Sequence, residues 1–179
     1  MNNLTEIIEK TRKEREYMDY IKEHIQNVLK AYEEITNMNN DKIKELYSND
    51  AKLVNEVRQR VNIHDASKYS KEEFDAYRRN FHPINDEEKK NSKEDFDKAW
   101  EHHWQNNDHH WQSRQNTTEL NKPACMEMIM DWTAMGYKFN DRPYQYYKKN
   151  KNEIKLNDLE KEYVESILDA MEEYDKESK

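Results

Sequence analysis

Seven histidines stand in this 179-residue chain, and most neighbour another histidine or a carboxylate. His64 is followed directly by Asp65, and His102-His103 and His109-His110 are doublets. His24 falls on an apolar helical face beside Ile21, Ile25 and Val28. Asp131 lies one helical turn after Glu127, on the same face. Imidazole and carboxylate together are donors that hold first-row divalent ions. Two of each leave coordination positions open, and an ion held that way makes a nucleophile of water at neutral pH. The pattern nominates His24, His64, Asp65 and Asp131 as ligands of a divalent metal ion (Mn, Fe, Zn, Co or Mg), one or two in number. Asp65 either completes one ion or bridges two. His103, His109 and His110 form a second tier that holds a further ion or orients the substrate. Lys68 follows His64 by one turn and would meet a phosphate oxygen as a point charge. Glu127 either acts as a base or orients a ligand from behind. Plainer readings stand beside these: a satisfied core histidine for His24, a solvated lysine for Lys68, and hydrogen-bonded imidazoles in a polar core for the doublets.

Something must carry these groups inward, and periodicity predicts helices. Residues 4–36 carry a stripe of Tyr17, Tyr20, Ile21, His24, Ile25, Val28, Tyr32 and Ile35 at steps of three and four. Residues 41–62 read as a second helix. Ser70 and Glu73 read as a capping box opening a short helix that ends at His82-Pro83. Residues 84–91 read as a charged loop. A helix from Ser92 turns Ala99, Trp100, His103 and Trp104 inward and His102 outward, until Asn106-Asn107-Asp108 breaks it. Pro123 suits the first turn of a helix over 123–135, with Gly136 as its cap. A last helix over about 157–175 points Leu159, Tyr163, Ile167, Leu168 and Met171 inward.

The expected fold is therefore all-α, a single compact domain over 1–179 with six to seven helices. Residues 1–16 form a charged helix start and 172–179 a polar tail. Composition fits this. One Gly and three Pro are too few for the turns of a sheet protein of this size. Leu, Ile, Val and Phe number only 28, so the 12 Tyr, 4 Trp and 8 Met must supply core bulk. The net charge of −8 argues against a general grip on nucleic acid. No apolar run is long enough to span a bilayer. The single Cys125 forms no intrachain disulfide, which fits a cytoplasmic protein.

A lone His, an adjacent His-Asp, further His and a distant Asp is an order that resembles the ligand order of HD-domain phosphohydrolases. His64-Asp65-Ala66-Ser67-Lys68 is similar to a His-Asp-x-Gly-Lys variant of that motif, with Ser67 in place of Gly. A wider resemblance runs from His24 to about Leu168. It is carried by His64 to Lys68, Glu73-Phe74, Tyr77, Ala99-Trp100, His103, Asn107, His109-His110-Trp111, Glu127-Met128, Asp131-Trp132 and Ala134-Met135. On these residues the chain resembles a family of small bacterial and phage proteins of the domain-of-unknown-function kind, DUF5662-like. Asp108 departs from the family pattern, which has proline there. The resemblance implies a shared fold and little about activity. From ligand order, the expected function is hydrolysis of a nucleotide or small phosphate ester, with Asp65, Lys68 and Glu127 in the chemistry. The alternative is a non-catalytic, metal-stabilised helical domain in a phage or bacterial accessory role. A metal-free interaction module docking through Glu6 to Glu16 is the third reading.

Overall fold

Steps of three and four between apolar residues make helices, and the computed structural model, which describes residues 3–178, contains no strand among them. Met1, Asn2 and Lys179, the ends of the predicted domain, lie outside the described residues. The helices are α1 (Asn3–Thr36), α2 (Asp41–Ile43), α3 (Ala51–Asn62), α4 (Phe74–Phe81), α5 (Asp86–Asn91), α6 (Lys93–Asn106), α7 (Trp111–Arg114), α8 (Lys122–Phe139), α9 (Pro143–Asn150) and α10 (Asp158–Glu177). A π-helical stretch, Lys44–Ser48, follows α2, and a 3-10 turn, Ala66–Tyr69, precedes α4. Ten α-helical segments among the described residues exceed the six to seven expected. The surplus comes largely from pieces too short to show a period, such as α2, α5 and α7.

Local capping explains most departures from the predicted elements. The helix expected over 41–62 is interrupted because Asp50 takes extended backbone and accepts from the N–H groups of Lys52 and Leu53. The loop expected over 84–91 contains α5. Asn85 caps it by accepting from Glu88 N–H, with Asp86, Glu87 and Glu88 in its first turn and Lys89 and Lys90 in its last. That order suits the helix dipole. Gly136 does not cap α8. The helix runs on to Phe139, and Asn140 takes the left-handed conformation (φ 52°) instead. Gly136 is needed because the Asp141 carbonyl would collide with any Cβ there. Leu159, expected inward, is 52% exposed, and Glu160 is buried in its stead. The Arg114 guanidinium donates to Glu160, which fixes that face of α10.

The chain folds into two compact units. The first takes the residues up to His24 and then Asp65–Asn107. The second takes Ile25–His64 and the residues from Asp108 onward. In the first, Tyr17, Ile21, Ala76, Tyr77 and Ala99 are buried. Tyr17 packs on Phe74 with ring centres 5.2 Å apart, and Phe96 meets Tyr77 edge-on at 5.2 Å. Helix α4 packs against α5 and α6, and buried Arg78 pairs with Asp75 and Glu88 across the α4–α5 join. In the second unit α8 is buried on nearly every side, as a central helix must be. It packs against α3, α9 and α10, with Val28, Ile35, Val57, Val61, Met126, Met130 and Ile167 in the core. No helix among the described residues is long and apolar enough to cross a membrane.

Candidate metal centre

In the second unit, α8 carries Glu127 and Asp131 one turn apart. Helix α3 ends at Asn62, so His64 lies just past its end, and His109-His110 precede α7. Glu127 is 3% exposed, and a carboxylate buried that far needs partners. It has three. Arg60 Nε donates to Oε2 at 2.7 Å and His64 Nδ1 donates to Oε1 at 2.8 Å. His109 Nδ1 lies 3.3 Å from the same Oε1. Burial alone would raise this carboxyl, but the hydrogen bonds and charge of His109 and His64 outweigh it and hold Glu127 well below the usual range. Arg60 also pairs with Asp108, whose other oxygen accepts from Asn121 Nδ2 at 3.3 Å. The Asp108 carboxylate is thus put to use.

Because Glu127 takes Nδ1 of His64, the ring presents its opposite nitrogen, Nε2, 3.8 Å from Asp131 Oδ1. The His109 ring lies tilted against His64 at 4.4 Å and against His110 at 4.2 Å, centre to centre. His109, His110 and Asp131 each offer one ligand atom, and those atoms all lie within 4.8 Å of one another. Ligand bonds of about 2.0–2.2 Å put neighbouring donors roughly 3–3.5 Å apart and opposite ones roughly 4.4 Å apart. Two imidazoles and a carboxylate at this spacing fit a first-row divalent ion after small side-chain rotations.

The first unit holds a parallel cluster. Asp65 is the residue where the backbone turns left-handed (φ 56°), at the start of the 3-10 turn. Lys68 Nζ donates to its Oδ2 at 2.5 Å, and His24 Nε2 lies 3.5 Å from the same atom. His103 Nε2 lies 3.1 Å from Oδ1. Behind His103 stands Glu73, fully buried, which accepts from Nδ1 of both His102 and His103 at 2.7 Å. This replaces the capping box expected from Ser70 and Glu73: Glu73 makes no cap bond, because its carboxylate is committed to the two imidazoles. Ser67 Oγ accepts from Asn107 Nδ2 at 2.7 Å, lies 3.1 Å from His103 Nδ1 and bonds Glu73. Burial would raise Glu73, yet the His103 bond and its charge lower it. Burial would lower His103, yet Asp65 and Glu73 raise it, against the opposing charge of Lys68.

Of the residues nominated from sequence, His24, Asp65, Lys68 and His103 come together in the first unit, and His64, His109, His110, Glu127 and Asp131 in the second. Glu73 and Arg60, which hold the imidazoles in place, were not nominated. Glu73 had a visible signal, since it stands among the residues that carry the family resemblance, but its spacing from Ser70 gave it a local role. Arg60 had no signal, because its partner is 67 residues away.

No curated protein and no solved structure matches this chain. Residues 13–170 match the DUF5662 family, a family of unknown function, and the chain belongs to it.

Proposed function

We propose that this protein is a metal-dependent phosphohydrolase of the HD type, acting on a nucleotide or another small phosphate ester. The observation that carries the reading is the His109, His110 and Asp131 group, with His64 Nε2 facing Asp131 and buried Glu127 setting the imidazole orientation. A carboxylate behind a ligating histidine fixes its tautomer and ring angle and sharpens its basicity. The order of His24, His64-Asp65 and Asp131 along the chain supports the HD class. A divalent ion at this group would supply Lewis acidity and an acidified water at neutral pH. Glu127 then works through the histidines and not as the base, since Arg60 and two imidazoles already occupy its oxygens.

Elemental analysis of the purified protein, beside a phosphoesterase screen with and without chelator, tests the reading. Bound transition metal, lost in Asp131→Ala and His110→Ala, and chelator-sensitive turnover are expected. Glu127→Gln should weaken metal binding by about 10- to 100-fold. A protein that carries no transition metal, and is indifferent to chelator and to His64→Ala, overturns it. The second reading, a metal that only stabilises the fold, is favoured by the near-complete burial of His64 and His109. It expects chelation to melt the fold while the screen stays negative.

A further inference from the structure

In the first unit two phenols are buried. Tyr17 is 0% exposed and Tyr77 5%. Their rings lie nearly parallel with centres 6.4 Å apart, and Tyr77 stands edge-on to His103 at 5.8 Å. Neither hydroxyl has a hydrogen-bond partner among the described residues. Phenylalanine would fill both places without burying an O–H group, and an unsatisfied buried donor is destabilising. A tyrosine kept there offers its donor to something else.

The surrounding charge says what kind of group that is. Burial pushes both phenols far up, and the Asp65 and Glu73 carboxylates push them the same way, so each stays a neutral O–H donor. The Lys68 ammonium lies 5.8 Å from the Tyr77 ring centre and adds a positive charge, with one of its N–H groups given to Asp65. The two carboxylates do not make the place hostile to an anion. Asp65 is faced by Lys68, His24 and His103, and Glu73 by His102 and His103. Two neutral donors beside an ammonium match a group with several anionic oxygens.

We propose that the Tyr17 and Tyr77 hydroxyls and the Lys68 ammonium form an oxyanion subsite in the first unit that takes the phosphoryl group of a phosphate ester. The choice of phosphoryl over other oxyanions rests on the hydrolase reading above, whereas the donor set does not. The test is calorimetric titration of inorganic phosphate into the full chain as purified, with metal content and thermal midpoint measured on the same samples. Wild type is compared with Tyr17→Phe, Tyr77→Phe and the double variant. Each single variant should bind phosphate about tenfold more weakly, the equivalent of one good hydrogen bond, at unchanged metal content and an equal or higher midpoint. Phosphate affinity that is the same in all four proteins, or absent from wild type, overturns the subsite. So does a lower midpoint in either single variant, because the lost hydroxyl would then have been satisfied within the protein. Purified protein without metal would overturn the hydrolase reading alone, since phosphate binding that depends on the hydroxyls would still stand.

Discussion

Glu127 in the second unit and Glu73 in the first each sit fully or almost fully buried, and each meets Nδ1 of two histidines with its carboxylate. In each case the Nε2 of one of those rings faces an aspartate, His64 toward Asp131 at 3.8 Å and His103 toward Asp65 at 3.1 Å. The difference lies in the remaining charge. Glu127 also has Arg60, a cation at every working pH, so its carboxylate is balanced even when His64 and His109 are neutral. Neutral imidazole is the form that binds a metal. The ion pairs of Glu73 among the described residues are with imidazoles, and His103, flanked by two carboxylates, is raised. The first arrangement has a permanent cation for its carboxylate, and the second relies on imidazoles.

Removing each glutamate is the strongest way to break this comparison. Glu127→Ala takes a charged acceptor from two imidazoles and from Arg60, which keeps Asp108, and breaking a buried charged pair costs about 3–5 kcal/mol. Glu73→Ala leaves imidazoles that can shed their proton, so the cost falls to about 1–3 kcal/mol, that of unsatisfied buried donors. Urea unfolding of the two variants reads the difference directly, and equal losses would end the distinction.

Acidity sharpens it at smaller amplitude. His103 has a folded pKa above its ordinary 6.5, so its contribution is fully present below 6.5 and is lost as pH rises through the folded value. Both glutamates are depressed below 4.5, so theirs is present above 4.5 and lost as pH falls through the folded values. In metal-free protein, the stability gap between wild type and Glu73→Gln should therefore shrink as pH rises past 6.5. The gap for Glu127→Gln should shrink less over the same range, because Arg60 keeps its charge as the imidazoles lose theirs. A Glu127→Gln gap that shrinks in parallel would show that the imidazoles, and not Arg60, balance that carboxylate.

Much of the scaffold was legible because helices announce themselves locally. The stripe along α1, the break at Asn106-Asn107-Asp108 and the inward His103 all follow from 3.6-residue spacing, whereas His102, expected outward, is half-buried and donates to Glu73. Helix α5 was legible too, in Asn85 followed three residues later by Glu88, but the density of charge read as loop. What local spacing cannot supply is a distant partner. Ser70 and Glu73 have the sequence of a capping box, yet a carboxylate that can satisfy two imidazoles does not turn back to an N–H. Leu159 and Glu160 exchanged places for the same reason, since Arg114 is 46 residues away. The metal-ligand candidates were visible as residue types. The glutamates' work of orienting them was visible only once the fold had brought Glu127 within 2.8 Å of His64.

The smallest expected effect concerns Ser67, which stands where the similar His-Asp-x-Gly-Lys motif has glycine. A glycine there would suggest a left-handed backbone, but among the described residues the positive φ near this motif falls at Asp65, and Ser67 lies within the 3-10 turn. The serine costs no strain, and it supplies a hydroxyl that Asn107, His103 and Glu73 all meet. Ser67→Gly therefore removes hydrogen bonds and adds chain freedom without relieving anything, a loss of about 1–2 kcal/mol. The change should register in the first unit, as faster amide exchange across α6 and a shift of the His103 ring resonances, while the His64 and His109 resonances stay in place. If the His64 signals move as far as those of His103, the two glutamate–histidine clusters respond as one, and treating Glu73 and Glu127 as separate devices fails.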